Sequence, residues 1–485
     1  MINVLIKKEL KNINEIKYIL EIFSVILGVP FNEKNEGSYK EKDKEVTHIF
    51  YGINKRDKQG IYIPDEDYDL WREGDLKCFL VEGIPVLTTK KDFQNKIYFR
   101  DEGKFVFNFD IFSACFFLLS RQEERIDKRR DKWKLFSGHY TLQKEFGILQ
   151  YPIVNQYIFL IKKALQEIFD EKQFSKSSLW KDNKKFSVAL VHDIDQPFKG
   201  DLQSGLNLIK CSLNLKLKGA KQGLKMILKD LSRSLKRDKD PYFNFDRYME
   251  LENQYGFRSS FNFTACERIE NPSCDTTYSI YHPKIINAIR SIKQRGWEVG
   301  LHGSYQSFLN KERLLEEKTL LEDVYGDKII GISQHYLRVE HEKTWKIQQE
   351  CGFLYDTSLG YNEEIGFRAG IAFPYFPYSF LQSKTIPILL LPLVIMDGVL
   401  FQEKGLNPDK AIELCKKLLF RIKENNGFAV ILWHLRVLDE KDFPGWGKVY
   451  AEVLDFLYKE DAWVTNPGEI AMWWLNRIQF INNKN

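Results

Sequence analysis

The chain has 485 residues, 44% of them hydrophobic and 29% charged, a globular composition with more material than one ordinary domain needs. A net charge of +5 is small for this length and excludes the strong basic bias of a dedicated nucleic-acid binder. Seven scattered cysteines without a C-x-x-C pair exclude a disulfide framework and a zinc ribbon, and fit reduced thiols.

The opening Met-Ile-Asn-Val-Leu-Ile-Lys-Lys-Glu lacks the charged start, long apolar run and small-residue cleavage site of a secretion signal. The most apolar runs, Ile111–Ser120 and Ile386–Met396, fall short of the roughly 20 residues that span a bilayer. The expectation is a soluble cytoplasmic protein.

Residues 1–180 read as a smaller α+β domain. Ile16, Ile19, Leu20, Phe23 and Leu27 have helical spacing within Asn14–Leu27. Short strand-like pieces follow at Thr47–Tyr51, Leu76–Val81 and Lys96–Arg100. The Phe-rich stretch Phe109–Arg121 predicts a buried helix, a charged patch covers Arg121–Lys134, and an amphipathic helix is expected at Val154–Phe169. Glu171–Lys185, rich in lysine and serine, reads as a linker.

From residue 181 to 485 strands and helices alternate. Predicted strands are Phe186–Val191, Ser259–Phe263, Glu298–Leu301, Ile329–Tyr336, Phe353–Asp356, Ile388–Ile395, Ala429–Trp433 and Ala462–Val464. Helical patterns separate most of them, among them Phe245–Tyr255, Pro283–Arg295, Lys311–Val324 and Pro408–Lys423. The fold class is therefore α/β, a distorted (β/α)7–8 barrel behind the α+β domain. A basic helical insertion at about 204–239 places Leu224, Leu228, Leu231 and Leu235 at helical spacing. Its plainer reading is a docked surface helix; the sharper one is contact with anionic lipid or a charged polymer.

In such barrels chemistry gathers at the C-terminal ends of strands. Those ends here carry His192-Asp193-Ile194-Asp195, Gly300-Leu301-His302, Gln334-His335-Tyr336-Leu337-Arg338, Met396-Asp397 and Leu432-Trp433-His434. Singly, each has a plain explanation: aspartates favour turns, and a lone histidine is commonly a packed imidazole. Together they are the inventory of a metal site with a nearby acid and base. Tyr305, Tyr336, Tyr361, Phe373, Tyr375, Tyr378 and Trp433 are aromatics near these ends that suit stacking on sugar faces, or ordinary rim packing. Arg368 suits either an anionic or hydroxyl-rich group or an ion pair that fixes its loop.

The ordered set Asp193-Ile194-Asp195, Gly300-Leu301-His302-Gly303-Ser304-Tyr305, Gln334-His335-Tyr336-Leu337, Gly366-Phe367-Arg368-Ala369-Gly370 and Leu432-Trp433-His434 resembles the NodB-homology polysaccharide deacetylases, carbohydrate esterase family four. The resemblance is to a bacterial branch with an extra N-terminal domain, and extends to Phe109–Arg125. It implies a catalytic base at Asp193, metal ligands at Asp195 and His302, and a proton donor to the leaving amine at His434, tuned by Asp397. From their places at the strand ends and in the G-F-R-A-G segment, Tyr305, Tyr336, Arg368 and Trp433 are the expected substrate contacts. The family's second metal histidine falls on Gln306, a poor zinc ligand. The third ligand is thus open between Gln306 and His335 at a neighbouring strand end. The family's base-orienting arginine aligns at Ser333 or at Arg338, of which only Arg338 has the charge.

The implied activity is hydrolysis of a non-peptide C–N bond: removal of an acetyl group from an N-acetylated sugar with one divalent metal, Zn²⁺. The expected substrate is a cytoplasmic precursor of a surface glycan, which the basic insertion would suit if lipid-linked. Two other readings stand beside it. One is a catalytically degenerate carbohydrate-binding or scaffold protein, favoured by Gln306. The other is a hydrolase of a different C–N bond, such as a cyclic amide or formamide.

Overall fold

The computed structural model describes residues 2–36, 47–66, 76–91, 93–169, 178–199, 224–225, 227–228, 240–266, 275 and 278–483. Most of the basic insertion at 204–239 and residues 171–177 of the expected linker lie outside the described residues. The chain divides into two compact units. The first joins Met1–Asn183, Phe367–Ile386 and Met472–Asn485; the second joins Lys184–Gly366 and Pro387–Ala471. Two stretches that the sequence assigns to the C-terminal domain therefore belong with the N-terminal one.

The first unit is built on a six-stranded sheet in the order Phe31–Asn35, Ile2–Ile6, Thr47–Tyr51, Gly60–Ile63, Lys104–Phe107, Tyr98–Asp101. All neighbours pair in parallel except the last two strands, which form an antiparallel hairpin. The α+β expectation is corrected accordingly, because Ile2–Ile6, helix Ile13–Leu27 and Phe31–Asn35 make a strand–helix–strand crossover. That helix buries Ile16, Ile19, Leu20 and Phe23 and stops at Gly28, whose φ of 73° suits glycine. Ile111–Leu119 is buried on every side, as its unbroken apolar sequence requires. The later segments join this unit through shared packing. Trp180, Phe373 and Trp474 stack at 5.3–6.0 Å, and Gln143 Nε2 donates to the Phe367 carbonyl at 3.0 Å.

The second unit holds a nine-stranded, wholly parallel sheet. Its order is Leu389–Leu390, Tyr355–Asp356, Gly331–Gln334, Glu298–Gly303, Ser259–Phe263, Ser187–Ile194, Phe428–Leu432, Leu393–Met396, with Trp463–Thr465 beside the start of Ser187–Ile194. The two edge strands are successive pieces of one segment, parted by Leu391 and Pro392, so the sheet curls back on itself. Pro392 has no N–H to give and so interrupts the ladder where the single strand Ile388–Ile395 was expected. Helices Phe245–Asn253, Pro283–Gln294, Lys311–Tyr325, Lys343–Glu350, Pro408–Glu424 and Trp446–Lys459 alternate with the strands. Buried on both faces, the strands read as apolar runs, which is why they were visible in sequence. No helix among the described residues is long and apolar enough to cross a membrane.

Candidate functional site

Successive side chains of a strand point to opposite faces, so Asp193 and Asp195 share one side and His192 takes the other. His192 accordingly packs away from the site, with Nε2 2.7 Å from Glu252 Oε1 and Nδ1 2.7 Å from the Trp433 carbonyl. Glu252 also accepts from Tyr450, Ser259 and Trp297, so this buried acid is fully hydrogen-bonded.

On the other face the expected residues converge. Asp195 Oδ1 stands 3.1 Å from His302 Nε2 and 3.6 Å from His335 Nε2, while Oδ2 stands 3.4 Å from His434 Nε2. Asp193 Oδ2 is 3.4 Å from His302 Nδ1. His434 Nδ1 lies 2.6 Å from Asp397 Oδ1, and Oδ2 of the same buried carboxylate accepts the His434 backbone N–H at 2.7 Å. Asp397 thus fixes both ring and backbone of His434, leaving Nε2 directed at the centre.

The electrostatics follow from this crowding. Burial disfavours an ionised Asp195, but His434, His302 and His335 outweigh it and hold the carboxyl well below its usual range. Burial likewise opposes charge on His302, yet Asp193 and Asp195 raise it to about 9. His335 goes the other way, pushed down to about 3 by burial despite Asp195. For His434, burial is overcome by Asp397 and Asp195, and its pKa rises.

These residues fit a divalent metal. Asp195, His302 and His335 each offer a ligand atom, all within 4.8 Å of one another. Tetrahedral coordination with Zn–N and Zn–O bonds near 2.0–2.1 Å places ligand atoms about 3.3–3.4 Å apart. The 3.1 and 3.6 Å separations around Asp195 Oδ1 bracket that value. Both nitrogens of buried His302 lack hydrogen-bond geometry to any partner, as does His335 Nδ1. The two carboxylates that favour positive charge on His302 would equally favour a cation bound beside it.

Several expected residues stand elsewhere. Arg338 does not orient Asp193. The chain ends its strand at Gln334 and turns through Tyr336 and Leu337 at φ of 56° and 50°. This lays the Arg338 guanidinium on the rings of Tyr305 and Phe308, 3.7 and 3.9 Å from their centroids. Asp193 is held instead by neutral donors, Asn262 Nδ2 to Oδ1 and Ser333 Oγ to Oδ2, each at 2.8 Å. Ser333 is the other position at which the family's arginine aligns.

Trp433 is fully buried against Trp446 and Tyr450, so it cannot offer a face to a sugar. Arg368 belongs to the first unit, where it makes a buried bidentate pair with Glu124 at 2.9 Å, the loop-fixing alternative. Phe373, Tyr375 and Tyr378 are likewise buried in the first unit, and Tyr361 is buried in the second. Tyr305 and Tyr336 remain half-buried, their rings 5.9 Å apart and edge-on. Gln306 precedes the turn Ser307–Leu309, and its side chain makes no capping hydrogen bond to it.

The sequence reading missed Asn262, the donor role of Ser333, and Arg436, whose Nη1 donates to Asp195 Oδ2 at 3.2 Å. For Arg436 a signal existed: it follows His434 by two residues on the same strand-end loop.

Residues 4–170 match the model of a family of unknown function, DUF7033. No curated protein matches the chain. Among solved structures, a protein of Mycobacterium smegmatis assigned to the polysaccharide deacetylases is 19% identical, with 62% of this chain and 95% of that one covered and a TM-score of 0.43. One so assigned from Pseudomonas aeruginosa gives 15%, 61%, 93% and 0.43. A family 4 carbohydrate esterase from Streptomyces lividans gives 10%, 57%, 91% and 0.28. These neighbours are polysaccharide deacetylases; at such TM-scores the likeness carries neither the fold nor the activity of this chain.

Proposed function

We propose that the second unit is a metal-dependent hydrolase that removes the acetyl group from an N-acetylated sugar. The observation that carries this reading is one carboxylate, Asp195, set 3.1 and 3.6 Å from two imidazoles, with Asp193 beside it and the His434–Asp397 pair facing it. The protein ligands to Zn²⁺ or a similar ion would be Asp195, His302 and His335. When bound, such an ion polarises an amide carbonyl and lowers the pKa of a water molecule.

The residues of the chain supply the proton transfers. Asp193, fixed by Asn262 and Ser333, has lone pairs left to take a proton from water as general base. His434, oriented through Nδ1 by Asp397, carries its transferable proton on Nε2 and delivers it to the departing amine. Base and acid are different group types in different surroundings, which keeps their proton affinities apart. Tyr305 and Tyr336 offer the half-buried aromatic edges of a sugar subsite. The resemblance in motifs supplies the reaction class; the cytoplasmic glycan precursor is the substrate we favour.

The test is elemental analysis of the purified protein alongside Asp195→Ala and His302→Ala, with acetate release assayed on N-acetylated chito-oligosaccharides. The expected result is about one equivalent of metal per chain, lost in both variants together with any acetate release. A chain that binds no metal after reconstitution refutes the mechanism and favours the carbohydrate-binding reading.

A further inference from the structure

The first unit carries a segregation of charge that the metal site does not use. Between Arg125 and Lys134 the chain places six cations and two aspartates, an excess of four positive charges in ten residues. All six cations are exposed, whereas the carboxylates of this region are turned inward and occupied. Glu123 accepts from Thr141 Oγ1 and the Leu142 N–H. Glu124 lies between Arg121 and Arg368. Asp127 accepts from the backbone N–H and guanidinium of Arg129, and Asp131 from the N–H groups of Trp133 and Leu135.

Beside this segment stands an apolar tip. The Arg125 guanidinium lies 4.3 Å from the centroid of the Phe380 ring, at the start of the turn joining Tyr378–Ser379 to Lys384–Thr385. At that turn Leu381 is 89% exposed, the most exposed large hydrophobic among the described residues. Ile126, adjacent to Arg125, is 39% exposed, and Lys384 is exposed on the returning strand.

A protruding leucine amid outward-facing cations is complementary to a surface that is anionic at its boundary and apolar just beneath. A soluble polyanion would answer the cations but give Leu381 nothing to enter. We propose that the hairpin tip and the Arg125–Lys134 segment form a docking surface for an anionic phospholipid bilayer. Leu381 seats at the acyl boundary, while Arg125, Lys128, Lys132 and Lys384 lie against lipid phosphates. The attachment is peripheral and independent of the reading of the metal site.

The experiment is co-flotation of the full chain with vesicles of phosphatidylcholine alone or mixed with phosphatidylglycerol. Thermal melts check the fold of each variant. Binding is expected only to the anionic vesicles and falls as salt is raised. Lys128→Glu with Lys132→Glu should weaken it by roughly fivefold or more for each charge removed. Leu381→Ser, at a position with almost no burial to lose, should weaken it at every salt concentration. The proposal is overturned if the wild type ignores anionic vesicles or binds pure phosphatidylcholine equally. It is also overturned if both variants bind as the wild type does, which would move the contact elsewhere in the chain. Loss with the lysine variant but not with Leu381→Ser would overturn the proposal as stated, since the contact would then be with charge alone and Leu381 would enter nothing.

Discussion

Gly300→Ala tests how the proposed base is held. A Cβ at this position would fall 2.1 Å from Asn262 Oδ1 and 3.2 Å from Ser260 Oγ, so the buried Asn262 amide must move. The other end of that amide donates to Asp193 at 2.8 Å. Overpacking of this kind costs about 1–3 kcal/mol. A lost hydrogen bond to a charged acceptor costs about 1.5–3 kcal/mol. Gly300→Ala should therefore destabilise the second unit by about 2.5–6 kcal/mol, the sum of those two ranges. Metal content should persist, since Asp193 and Asn262 lie outside the ligand set. Urea unfolding of Gly300→Ala, Asn262→Ala and the double variant isolates the collision. With Asn262 already truncated the new methyl meets no amide, so the second substitution should add little. A coupling of about 2 kcal/mol is expected. Strict additivity of the two costs would refute the claim that Gly300 is glycine to make room for Asn262.

Two further outcomes follow from the same geometry. His335→Ala should abolish metal retention, while Gln306→Ala leaves it intact; elemental analysis of both decides between the two candidates for the third ligand. In the first unit, Arg121 and Arg368 overcome burial and hold Glu124 down to about 2. A carboxylate depressed on folding contributes stability that is present above its unfolded pKa and lost as pH falls through the folded one. Glu124→Gln should thus be less stable than wild type by about 3 kcal/mol near neutral pH. The difference should close as pH falls from about 4.5 towards 2, and a gap independent of pH would refute the assignment.

The curled parallel sheet was legible in sequence because its strands are buried on both faces and read as short apolar runs ending in Asp or His. Asp193, Asp195, His302, His335, Asp397 and His434 were found for that reason, and the structure brings all six together. Asn262 and Ser333 were invisible as partners of Asp193, since a neutral amide or hydroxyl in a strand looks like filler until its neighbour is known. Arg338 was favoured on charge alone, but the backbone turn at Tyr336 and Leu337 directs it onto two rings. The first unit was harder. Its strands run to four or five residues, and the pairing of Ile2–Ile6 with Phe31–Asn35 and Thr47–Tyr51 is set by contacts that no local pattern records. Trp433 shows the converse limit: an aromatic at a strand end can be core.

The interleaving of the two units along the chain has a consequence for biosynthesis. As the chain emerges from the ribosome, the first unit still lacks Phe367–Ile386, and then Met472–Asn485 with Trp474 of its three-ring stack. The second unit has all its residues once Ala471 has appeared. Of the two units, the one that begins first is therefore completed last, and its unfinished core must be kept from misassembly until Met472–Asn485 has emerged. Cutting the chain near residue 181 would not separate two independent halves; it would take two segments away from the first.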